Sequence, residues 1–266
     1  MKRKNNPKKI LVKKKNGKKA TLKRSKKRLI KNEKIPSGIK NLDPLIKGGF
    51  EKNSINLVIA GSGSGKTIFS MEFLIEGIKK GENCLYITFE EKKEEFYFNM
   101  KELGWDLEEL ERKGSFFFLE YTPEKVKIML EEGGGAIETL VLTKKIKRIA
   151  VDSLTSFGLL FENDLEKRKS AIEFFNMLRK WNCTSVLTYE RDPIKDPKTH
   201  SSVLEFESDS IIVLYFVRNK KTRERFLEVL KMRGTNHSKE IWPFEIGKGG
   251  IVIKKRPFEG DISKLS

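Results

Sequence analysis

The eight residues Ala60-Gly61-Ser62-Gly63-Ser64-Gly65-Lys66-Thr67 limit what this chain can fold into more than any other stretch of it. They follow the apolar run Ile55–Ala60 and precede a segment of helical period from Ile68 to Lys79, so strand, loop and helix are expected in succession. Alternate glycines let the loop wrap with its N–H groups turned inward, and the helix start adds the positive end of its dipole. Such a loop cradles the phosphates of a nucleoside triphosphate. Gly61, Ser62, Gly63, Ser64 and Gly65 form its wall, Lys66 reaches the β- and γ-phosphates of ATP, and the Thr67 hydroxyl ligates Mg2+. The usual first glycine of the pattern is Ala60 here. The bland alternative is a Gly/Ser-rich strand-to-helix turn that carries Lys and Thr by coincidence; the flanking elements argue against it.

The rest of the chain repeats the alternation. Apolar runs at Cys84–Phe89, Phe116–Leu119, Ile149–Val151 and Thr184–Leu187 are separated by segments of helical period at about 91–103, 124–142 and 165–181. Near-continuous apolar strands in that order predict an α/β fold: a mainly parallel sheet flanked by helices on both faces. From Ile211 onward three strands, Ile211–Val217, Arg225–Met232 and Ile251–Ile253, follow one another without long helices and predict a C-terminal antiparallel β extension. No apolar run approaches the ~20 residues of a membrane-spanning helix, and the lysine-rich N-terminus lacks the apolar block of a secretory signal. A cytoplasmic protein with no transmembrane segment is expected. Cys84 and Cys183 sit inside predicted strands and read as small buried hydrophobes.

Triphosphate hydrolysis needs an acid on a neighbouring strand to hold the magnesium's water shell, and Asp152, at the end of Ile149-Ala150-Val151, supplies one. It also needs a carboxylate that orients and deprotonates water. Glu90 and Glu91, just after the strand ending at Phe89, are the candidates. Their competing reading is as solvated residues opening the next helix, where negative charge is favoured.

With these pieces in order, the chain resembles a KaiC-like ATPase of the RecA superfamily, a group that includes archaeal RadA- and RadB-type recombinase relatives and a gas-vesicle regulator. The resemblance covers about residues 35–258. It rests on Ile35-Pro36-Ser37-Gly38-Ile39-Lys40-Asn41-Leu42-Asp43 closed by Gly48-Gly49-Phe50, on Tyr86-Ile87-Thr88-Phe89-Glu90-Glu91, and on Leu204-Glu205-Phe206-Glu207-Ser208-Asp209. Further on, Leu230-Lys231-Met232-Arg233-Gly234-Thr235-Asn236-His237 and Pro243-Phe244-Glu245-Ile246 are similar to the family's late signatures. The resemblance implies a RecA-like P-loop core and ATP hydrolysis between neighbouring subunits of a homo-oligomer, usually a hexameric ring, with a regulatory or signalling role. It assigns catalysis to Glu90, with Glu91 assisting, makes Lys231 and Arg233 cations supplied in trans to the γ-phosphate, and brings His237 to the ribose. Side-chain alternation puts Lys231 and Arg233 on one strand face together with Leu227 and Val229. Glu205-Phe206 stand where the clock protein that names the family phosphorylates itself on Ser and Thr, so autokinase activity is not expected. The competing class is a nucleic-acid-binding recombination or repair accessory in which ATP governs assembly on DNA.

Charge divides the chain into a basic arm and a near-neutral body, and the extent of the resemblance leaves a short C-terminal tail. The 266 residues carry a net charge of +18, of which +16 falls within residues 1–34. Residues 1–34 read as a disordered Lys/Arg-rich arm, 35–258 as the ATPase domain and 259–266 as a C-terminal tail. An arm of 17 basic residues and no aromatic can bind DNA or RNA through residues 2–34 by counterion release, with little sequence preference. A solubilising tail and an anionic lipid surface are its rival readings. The protein partner, if the role is signalling, is not named by any motif.

Overall fold

The computed structural model describes residues 33–158, 163–194, 203–219 and 221–265. Residues 1–32, nearly all of the predicted arm, lie outside the described residues.

The chain opens with strand β1 (Lys34–Ile35), short helix α1 (Leu42–Leu45) and strand β2 (Phe50–Glu51), where β1 and β2 pair antiparallel. Strand β3 (Ile55–Ala60) leads through the glycine loop into helix α2 (Lys66–Lys79). Strand β4 (Asn83–Thr88) is followed by helices α3 (Lys93–Glu102) and α4 (Leu107–Arg112), then by strand β5 (Phe116–Glu120). Helices α5 (Pro123–Glu131) and α6 (Gly135–Thr143) precede strand β6 (Ile146–Asp152). Helices α7 (Leu154–Gly158) and α8 (Asp164–Lys180) precede strand β7 (Thr184–Glu190). Helix α9 (Val203–Glu207) introduces the final strands β8 (Ser210–Asn219), β9 (Thr222–Met232), β10 (Ile241–Gly247) and β11 (Gly250–Ile253).

One sheet has the order β11-β10-β9-β8-β3-β7-β6-β4-β5. From β8 to β5 neighbouring strands are parallel, and β9, β10 and β11 add on antiparallel. The parallel strands are apolar on both sides because helices cover both faces. In β3 every residue is buried: Val58 and Ala60 join Phe69, Phe73 and Tyr86 on one side, while Leu57 and Ile59 join Val151, Phe174 and Phe175 on the other. Register sets the site. Ala60 lies opposite Glu190, and Thr88 opposite Asp152, so the glycine loop, the two strand ends that carry these acids and the end of β4 emerge on the same side of the sheet.

Several sequence expectations need correction. The helix expected over 124–142 is two helices, because Gly133, Gly134 and Gly135 all have positive φ and break the intrahelical ladder between α5 and α6. Lys34 belongs to β1 and ion-pairs with Glu51 at 2.6 Å, so the folded body begins before Ile35. The last residues also return to the body, with Ile262 and Leu265 packed against the core. The two cysteines are buried as expected; burial pushes the Cys183 thiol up to about 12 and that of Cys84 higher still.

Candidate nucleotide-binding site

The glycine loop is shaped by its own short bonds. Ser64 donates from both its N–H and its hydroxyl to the Gly61 carbonyl, and Phe69 N–H donates to the Gly65 carbonyl, starting α2. Gly63 and Gly65 have φ of +74° and +102°, values open to glycine and strained for other residues. The antiparallel strands roof the loop. Arg225 Nε and Nη2 both donate to the Gly63 carbonyl at 3.2 and 3.0 Å, with the guanidinium 4.3 Å from the Phe216 ring centroid. A Cβ at Gly65 would stand 2.7 Å from Ile246 Cδ1.

Lys66 and Thr67, the first residues of α2, point at acids on the neighbouring strand ends. Thr67 Oγ1 donates to Asp152 Oδ2 at 2.6 Å, Tyr86 OH donates to the same oxygen at 2.9 Å, and Thr188 donates to Oδ1. Three hydroxyls thus fix the buried Asp152 beside Thr67, and the pair is an oxygen donor set of the kind a hard divalent cation takes. Lys66 Nζ pairs with Glu190 Oε2 at 2.9 Å. Glu190 went unseen in the sequence: a lone glutamate ending a strand carries no motif, and only the register that sets it opposite Ala60 reveals it.

The expected glutamates stand at the same edge. Glu90 and Glu91 N–H groups donate to Thr88 Oγ1, which folds the chain back over the end of β4. Glu90 Oε1 accepts from Ser153 and Ser156 hydroxyls at 2.8 and 2.7 Å. Burial first, and then the negative charges of Asp152 and Glu90, raise the Glu91 carboxyl above the usual glutamate range, while Lys66 opposes the shift. An acid-rich pocket around one ammonium is a setting for a polyphosphate only when metal charge accompanies it. Alongside lies a cleft of about 590 Å³ whose lining includes Gly61, Ser62, Asp192, Phe216, Arg218 and Arg223.

Lys231, Arg233 and His237 are elsewhere. A β-bulge at Leu230 breaks the alternation of β9: Lys231 faces Ile211, whereas Val229 faces Ile212. Lys231 therefore lies on the sheet face opposite to Leu227 and Val229, contrary to the regular alternation expected from sequence. It still converges with Arg233. Lys231 Nζ donates to the carbonyls of Glu205, Phe206 and Ser208, and Arg233 Nη2 donates to that of Phe206 at 2.7 Å, so both cations cap the C-terminal end of α9. Burial, then Arg233, pushes the Lys231 ammonium below the usual lysine range. The pair belongs to the end of β9 beside Ser210, whereas Arg225, six residues before Lys231, touches the loop; at strand rise the two ends are about 20 Å apart. His237 is buried, with Nδ1 2.7 Å from Ser238 O and Nε2 2.9 Å from Lys239 Nζ.

A phosphate loop leaving the central strand of such a sheet, with the acid Asp152 at the end of β6 and strand β7 inserted between the two, defines a P-loop domain of RecA-like fold. The family profile described as ATPase: KaiC matches residues 35–257. The chain belongs to the KaiC ATPase family. It is 34% identical over 229 residues to the circadian clock protein KaiC3 of Synechocystis sp. and 34% over 228 residues to the circadian clock oscillator protein KaiC of Prochlorococcus marinus subsp. pastoris. Each match covers 83% of this chain and 45% of the relative, so the chain spans less than half the length of these proteins. The crystal structure of a KaiC-like protein from Pyrococcus horikoshii OT3 superposes with a TM-score of 0.75 at 30% identity, over 84% of this chain and 99% of that one.

Proposed function

We propose that the chain hydrolyses ATP at a site completed by a second copy of itself in a ring-shaped homo-oligomer, with a regulatory output. One observation carries the trans arrangement. Lys231 and Arg233 stand about 20 Å along β9 from the residue that touches the chain's own loop, so the phosphate within their reach is a neighbour's.

In this reading the loop N–H groups and Lys66 hold the triphosphate, and Glu190 gives up Lys66 as the phosphates arrive. Thr67 and Asp152 would hold Mg2+, which when bound neutralises phosphate charge. Glu90 orients and deprotonates water, and Glu91 supports it. The neighbour's Lys231 and Arg233 exchange α9 carbonyls for phosphate oxygens and offset charge as it develops, while its His237 approaches the ribose. The nucleoside occupies the cleft bordered by Phe216 and Arg223. Autophosphorylation is not part of this reading, because Glu205 and Phe206 offer no hydroxyl. The basic residues of 2–34 serve as a salt-sensitive, polyanion-binding arm.

Complementation tests the trans assignment. Lys66→Ala abolishes turnover, and Arg233→Ala lowers it while nucleotide affinity holds. Mixing the two variants raises turnover above the sum of the two measured alone, since a hybrid boundary pairs an intact loop with an intact arginine. No recovery on mixing, or equal loss of affinity in both variants, contradicts it.

A further inference from the structure

Helix α7 is only five residues long, yet its first turn joins two parts of the site. Leu154 is buried in the core, and Thr155 Oγ1 accepts the backbone N–H of Glu190 at 2.7 Å, at the strand end whose side chain holds Lys66. The next residue, Ser156, turns its hydroxyl to Glu90 Oε1 at 2.7 Å. Ser153 donates to the same oxygen at 2.8 Å. Two donors on Oε1 leave the lone pairs of Oε2 for another partner, which is the arrangement a carboxylate needs to take a proton from water in a fixed direction.

Glu90 is itself exposed, and an exposed glutamate samples several rotamers unless something holds it. The structure assigns that task to Ser156: we propose that it is a positioning residue, fixing the Glu90 carboxylate toward the phosphate loop from an anchored helical turn. The inference rests on the reading of Glu90 as the base. Ser153 shares the work, but it is fully buried directly after Asp152, so its replacement disturbs the magnesium side as well. Ser156 is half-buried, and its hydroxyl is the one of the two that can be altered without touching Asp152.

The test uses the full chain with Ser156→Ala, Ser156→Cys, Ser156→Thr, Glu90→Gln and the Ser156→Ala/Glu90→Gln double variant. Loss of a hydrogen bond to a charged group predicts a fall in kcat of about tenfold, or ~1.4 kcal/mol, in Ser156→Ala. Affinity for ADP and for a non-hydrolysable ATP analogue should stay unchanged, because no phosphate contact is removed. Ser156→Cys, isosteric with a weaker donor, falls in between, and Ser156→Thr recovers most of the rate. In the Glu90→Gln background the alanine causes no further loss, since the two residues act as a unit. Wild-type kcat in Ser156→Ala beside a deficient Glu90→Gln overturns this proposal alone. An additive loss in the double variant also overturns it, by showing a merely structural role. Full turnover in Glu90→Gln removes the reading of Glu90 as base and this proposal with it.

Discussion

Glu72 lies in α2 five residues beyond Thr67, buried against the backbone of Gly250 and Ile251. Ile251 N–H donates to its carboxylate. Burial dominates, lifting its pKa from 4.5 to about 8 against the weaker pull of that N–H and of Lys79. Between those values the folded chain keeps a proton that the unfolded chain has released. The resulting stability is fully present below pH 4.5 and drains away as pH rises toward 8. Three and a half pH units at ~1.4 kcal/mol each give about 5 kcal/mol as the scale of the effect. Glu72→Gln keeps the shape and an acceptor for Ile251 N–H but cannot ionise. Urea unfolding of both proteins from pH 5 to pH 9 isolates the term, because titrations elsewhere are common to the two. The variant should gain on the parent as pH rises and level off above pH 8, with a midpoint advantage of about 2 M urea for a typical m of ~2.5 kcal/mol/M. A difference that stays constant from pH 5 to pH 9 would refute the reasoning, since it would mean Glu72 titrates like an exposed glutamate.

Two further outcomes follow from the loop. Glu190→Gln frees Lys66 from its ion pair and should tighten nucleotide binding about fivefold, ~1 kcal/mol, measured by calorimetric titration; weaker binding would make Glu190 a helper instead of a competitor. Gly65→Ala forces alanine to φ +102° and should cost about 1–3 kcal/mol of loop stability, with loss of ATP binding. Adding Ile246→Ala removes the crowding but leaves the torsion. Recovery of binding in that double variant would show that crowding by Ile246, and not torsion, was the obstacle.

The phosphate loop was legible because its chemistry is written in consecutive residues: glycines where φ is positive, then Lys66 and Thr67 on the first turn of a helix. Asp152 was legible for the related reason that it ends an apolar run, although the sequence did not show that β7 separates that run from the loop strand. Glu190 and Ser156 were not, because their roles exist only once strand register brings β7 and α7 against the loop. The bulge at Leu230 was hidden too. Leu227 to Arg233 alternates convincingly on paper, and the extra residue shows only in pairing with Ile211 and Ile212. In the 124–142 segment the helical period of the apolar positions outweighed three glycines that in fact end one helix and begin another.

The tie from Arg225 to the Gly63 carbonyl separates grip from adjustment. In the proposed site the chain's own phosphate-binding residues lie on the loop and the first turn of α2, whereas the roof over that loop comes from Arg225 of β9 and Ile246 of β10. Under that reading a substitution at Arg225 or Ile246 changes how the loop is held and removes no side chain proposed to contact phosphate.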